Sequence, residues 1–269
     1  MDSKPPIHVI EQDSLVLLKD LTRAYVRLVD ITITREVVSD LHGMVFIEFI
    51  NCADPDQLMY QVCAWHVMLH EAPDQAFPRI GCLTICCSEC SITVERFASL
   101  RYLFVYSSNA NLCIKQSLAI MTVTGSANLI NIDNVNLERM IIRGSGNWID
   151  GVCNVPVLSI VGSAKICCYL PTTTHAAFNI GKYISGCTLA EWNSQLERRE
   201  SEFETPVCIE FETCCENEQT CMPNLQHVIA FGCVTRGLGR QIGNLNARFH
   251  NCEPEQLTQF RNVLIGHFP

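Results

Sequence analysis

Residues 118–166 read LAIMTVTGSANLINIDNVNLERMIIRGSGNWIDGVCNVPVLSIVGSAKI, and one short pattern runs through them three times. Leu118, Met121, Val123, Ser126 and Leu129 stand at positions one, four, six, nine and twelve of the first copy. Leu137, Met140, Ile142, Ser145 and Trp148 repeat it, followed by Val155, Leu158, Ile160, Ser163 and Ile166. Working outward, the ninth position serves as a ruler: Thr34, Cys52, His70, Ser88 and Ser108 precede Ser126 at steps of 18 to 20 residues. A weak copy is centred on Phe178 to Gly181, and the ruler resumes at Cys214, Cys233 and Cys252. A chain that repeats one short unit folds as a solenoid, because no coil can bury its apolar face alone and each must stack on its neighbours.

The pattern has a direct physical sense. Positions four and six are two apart, which is strand spacing, so both point into a core while positions five and seven face outward. Position nine ends the strand, and a small Cys, Ser or Thr there is expected to be buried where the turn needs hydrogen-bonding partners. The first copy is placed on Val26, Val29, Ile31, Thr34 and Val37, and the third on Val62, Trp65, Val67 and His70.

This arrangement resembles the leucine-rich repeat family, in the form with cysteine at position nine, over roughly residues 26–252. Serine at position nine of the central units, His70 and Trp148 depart from the family pattern. The resemblance implies a solenoid of the horseshoe type, with one parallel β-sheet on the concave face. The units are short, so 3₁₀ or extended segments are expected on the convex side. An N-terminal cap is expected over 1–25, repeats over 26–184 and 206–252, an acidic insertion at 185–205 and a C-terminal helical cap over 253–269. Asp13-Ser14 with Leu15, Leu18 and Leu21 signals a helix in the first cap. Leu257, Phe260 and Leu264 form an apolar stripe in the last.

The net charge of −9 argues against a phosphate-binding surface, so no nucleic-acid partner is expected. MDSKPPIHVIEQD lacks the apolar core of a secretory signal, and no apolar run reaches the ~20 residues that span a bilayer. With 17 cysteines, an odd count, reduced thiols and a cytoplasmic or nuclear location are expected. Cys82, Cys86, Cys87 and Cys90 include one zinc-type spacing but lack a second half nearby, so no metal is expected. Ser145 in Gly144-Ser145-Gly146 belongs to the repeat and not to a nucleophile elbow, and the Gly237 to Gly243 stretch lacks dinucleotide spacing. No catalytic residue and no cofactor are assigned.

Function is therefore sought on the outward strand positions. Glu48, Met68, Tyr102, Phe104, Tyr106, Ile141, Arg143 and Phe231 are the candidate partner-binding residues, with Phe104 and Tyr106 as aromatic anchors. The expected function is a non-enzymatic interaction module binding a protein or peptide on its concave face, as an adaptor or substrate receptor. Cysteine-type repeats in cells often belong to ubiquitin-ligase receptors, which is what the resemblance implies. However, the stretch before residue 26 is too short for an F-box, and Ser14-Leu15 lacks the cysteine of an elongin-binding box. The alternative is a parallel β-helix that binds or acts on polysaccharide. It would need clustered carboxylates, but Asp133, Glu138 and Asp150 fall at non-equivalent positions of the repeat.

Overall fold

The computed structural model describes residues 6–178, residues 222, 224 and 225, and the backbone of four further strands at 207–211, 227–231, 233–236 and 246–250. The expected C-terminal cap and the acidic insertion lie outside the described residues. One side of the molecule carries β1 (Ile7–Ile10), β2 (Tyr25–Val29), β3 (Met44–Ile50), β4 (Ala64–Leu69) and β5 (Ile80–Cys86), one strand per coil. From there each coil also places a strand on the return side: β6 (Ser91–Val94) precedes β7 (Tyr102–Tyr106), and β8 (Asn111–Ile114) precedes β9 (Leu118–Thr124). The long β10 (Leu129–Arg143) belongs to the return ladder with its first half and to the first ladder with its second. The alternation continues through β11 (Asn147–Asn154), β12 (Val157–Val161), β13 (Ala164–Ile166) and β14 (His175–Phe178). The backbones of β15 (Val207–Phe211), β16 (His227–Phe231), β17 (Cys233–Arg236) and β18 (Asn246–His250) extend both ladders. All of these pairings are parallel, as a chain that winds in one sense requires.

Two rows of side chains make the core. Val26, Ile47, Val67, Leu83, Leu103, Met121, Met140, Leu158 and Ala176 are consecutive rungs, each 0% exposed. Leu28, Phe49, Leu69, Ile85, Val105, Val123, Ile142, Ile160 and Phe178 form the second row, all buried at 4% exposure or less. Burying each such aliphatic side chain stabilises the fold by roughly 1.5–3 kcal/mol, so stacking identical rungs adds stability coil by coil.

Three registers differ from the sequence reading. In β2 the inward residues are Val26 and Leu28, whereas Thr34 caps α1 (Arg35–Asp40) by accepting the Val37 N–H. In β4 Val67 and Leu69 point inward and Trp65 is 54% exposed, two residues away from the assigned frame. Here coil lengths change, because α1 and a 3₁₀ turn at Leu58–Gln61 occupy the return side and consume different numbers of residues. The third difference is β15, read as a concave-face strand with Glu210 outward, which pairs instead with β13 on the return side. One sheet on the concave face, with 3₁₀ or extended segments opposite, is the expectation; from Ser91 onward the segments on the return side pair into a ladder of their own.

The turn out of the first ladder explains why those segments align. Gly125, Gly144 and Gly162 have φ of 135°, 111° and 106°, and a Cβ on Gly144 would strike the Gly125 carbonyl of the coil below. The ninth-position serines are not the buried turn residues. Ser126 and Ser145 are exposed, and each turn is knitted by a hydroxyl, with Ser126 N–H donating to Ser108 Oγ at 3.1 Å. Ala127 and Gly146 then take left-handed φ of 57° and 70°, which turns the next residue inward. That residue is Asn128 or Asn147, both buried. Asn128 Nδ2 donates to Ser107 O and to Asn147 Oδ1, and Asn147 Nδ2 donates to Gly125 O at 3.0 Å.

Candidate functional site

Outward positions of the first ladder form rows across the coils. One row runs Arg27, Glu48, Met68, Thr84, Phe104, Thr122, Ile141 and Ser159. A second runs Tyr25, Phe46, His66, Cys82, Tyr102 and Ile120, and a third places Cys86, Tyr106, Thr124 and Arg143 side by side. The eight residues nominated from sequence therefore all belong to one ladder. Phe231 enters it by backbone register only, since its side chain is outside the description.

Their environments differ. Tyr102, Phe104 and Tyr106 project from the single strand β7, and Tyr106 is 48% exposed. Phe104 stands between Thr84 and Thr122, two shorter neighbours that are themselves buried in the face. Trp65 packs against Tyr102 at 5.9 Å between ring centroids and lies over Gly81, where a Cβ would meet the indole. The Arg101 guanidinium lies 5.9 Å from the Tyr102 ring centre. Trp65 and Tyr102 are in ring contact and Phe104 and Tyr106 follow along β7, so this aromatic platform runs from the start of β4 to the end of β7. Met68 and Ile141 border it half-buried, and Arg143 is exposed at its far side.

Glu48 does not offer a free carboxylate. It is 5% exposed, held by Arg27 Nε at 2.7 Å and His70 Nε2 at 2.9 Å. Burial alone would raise its pKa, but the hydrogen bonds and charges of Arg27 and His70 outweigh that and hold it below the usual carboxylate range. Its neighbours close over it, so sequence position alone overstated its access. His66, hydrogen-bonded to Thr84 Oγ1 at 2.8 Å, has its pKa lowered by burial and stays neutral more readily than a free imidazole.

Trp65, Arg27 and His70 are site residues that sequence reasoning missed. Gly81 is the signal for Trp65: a missing side chain at the neighbouring rung makes room for a large one. One pair of cysteines also departs from expectation. Cys87 and Cys90 are joined by a disulfide rather than left as thiols, because the turn after β5 brings residues three apart together. Among the described residues no three His, Cys, Asp or Glu side chains converge as a metal site, and no helix is long and apolar enough to cross a membrane. A scan against protein-family models and searches of curated proteins and of solved structures return no match.

Proposed function

We propose that this chain is a solenoid interaction module that holds a protein or peptide segment against the outer face of its first ladder. The observation that carries the reading is the aromatic platform of Trp65, Tyr102, Phe104 and Tyr106, two of them about half exposed. Aromatic anchors of this kind dominate interface energies. A leucine-rich-repeat horseshoe is the form we favour for residues 25–86, where α1 and a 3₁₀ turn take the return side. An adaptor or substrate-receptor role fits such a surface.

The test is quantitative affinity capture with the full chain. Replacing Phe104 and Tyr106 together by Ala should weaken capture by about 30-fold or more, for a hot spot of about 2 kcal/mol, with the thermal midpoint nearly unchanged. Trp148→Ala on the return face serves as control. Equal loss in both variants, or none in either, removes the proposed face.

The return ladder favours a second reading, a parallel β-helix that binds polysaccharide, since the same aromatic platform can stack on sugar rings. Asp150 lies opposite Asn131 and Asp133 opposite Val152, so neither faces a carboxylate in the ladder register. Retention on immobilised polysaccharide that is lost in the Phe104/Tyr106 variant would select it over the protein partner.

A further inference from the structure

The corner between β5 and β6 is where the column of stacked turn residues begins. Backbone hydrogen bonds align Cys90 with Ala110 and Asn128, and Cys87 with Ser107 and Gly125. Later coils tie this corner with an asparagine amide, whereas this coil ties it with the Cys87–Cys90 bond. Glu89, between the two cysteines, has the same left-handed φ, 53°, as Asn109 and Ala127 at 57° in corners without a disulfide. The turn therefore takes its shape without the cross-link, and breaking the bond need not unfold the coil. A loop with a sequence separation of only three also constrains little of the unfolded chain, so the bond is a weak staple.

Access completes the argument. Both cysteines are partly exposed and line an open cleft of about 490 Å³, together with His70, Glu71, Cys86 and Tyr106. We propose that Cys87-Ser88-Glu89-Cys90 is a reversible thiol–disulfide exchange site for small soluble thiols of the glutathione class. A thiolate from solution attacks one sulfur, forms a mixed disulfide there and releases the other cysteine as a thiolate, which takes up a proton. A second small thiolate attacks the sulfur of the first in that mixed disulfide and displaces the remaining cysteine, which takes up a proton, so two small thiols are oxidised to their disulfide and the protein pair is reduced by two electrons and two protons. Cys86 lines the same cleft, and burial and the Glu48 charge push its thiol up, which makes it the weaker nucleophile of the three. The cleft shares Tyr106 with the proposed partner face, but the exchange chemistry does not depend on that reading.

The experiment equilibrates the full chain in buffers of varied reduced-to-oxidised glutathione ratio. Open thiols are blocked by alkylation, the remainder are reduced and labelled differently, and the tryptic peptide Ile80–Arg96 is quantified. Cys87 and Cys90 should convert together in one two-electron transition. Cys82, whose thiol burial pushes up to about 12, is the internal control and should stay unlabelled until the chain is denatured. In Cys90→Ser, Cys87 should instead collect glutathione as a mixed disulfide. If that variant fails to fold, the wild-type titration decides alone. Thiols at both positions in fully oxidised buffer, a bond that opens only in denaturant, or pairing through Cys86 would each overturn the proposal. So would protection of the reduced pair by added zinc.

Discussion

A carboxylate on an outward strand position normally reads as a binding group, and Glu48 shows how neighbours decide otherwise. Arg27 and His70 sit on adjoining coils and close on it, so its charge is spent inside the protein. A carboxyl held low in the folded state contributes stability that is present above the ordinary carboxylate pKa, about 4.5, and lost as pH falls through its folded value. Urea midpoints measured from pH 7 to pH 3 should therefore fall more steeply for the wild type than for Glu48→Gln. The variant should be the less stable at pH 7, with the gap closing in acid. Parallel curves would contradict the ion-pair account. Sequence position showed that Glu48 lies outward, but not that Arg27 would meet it, because the expected frame put Asp30 and not Arg27 beside it in the preceding coil. That contact depended on a register the pattern had misplaced.

At the scale of elements, the central strands were legible because β7, β9, β10 and β12 follow one another at nearly constant coil length, and each carries two aliphatic residues at a spacing of two. β2 and β4 were misframed because α1 and the 3₁₀ turn change the coil length without altering composition. The corners were not legible: the ninth-position serine was taken as the buried turn residue, and the left-handed residue that turns Asn128 and Asn147 inward is a backbone property. Those two amides now carry a prediction. Asn147 accepts from Asn128 N at 3.1 Å as well as from its side chain, and its own amide donates to Gly125 O. Asn147→Ala leaves buried groups without partners and should cost on the order of 2 kcal/mol, read as a lower urea midpoint at unchanged slope. Ser145→Ala, at the exposed neighbouring position, should cost well under half of that. A reversed ranking would restore the ninth position as the structural one.

For the whole molecule, the long run of stacked parallel strands followed from repetition, since units of such a period bury their apolar faces against one another. The return ladder did not follow, because isolated extended segments and paired ones have the same alternation in sequence. Nor could the aromatic platform be completed, as Trp65 joins it from a strand whose frame was shifted. The account rests throughout on successive coils lying in register, with Val123, Ile142 and Ile160 as neighbouring rungs. Methyl-selective NOE spectroscopy on the full chain tests this most directly. Strands about 4.8 Å apart should give strong Val123–Ile142 and Ile142–Ile160 cross-peaks and a much weaker Val123–Ile160 one. Absence of both neighbour cross-peaks, with each methyl contacting unrelated residues instead, would contradict the coil stack and every inference drawn from it.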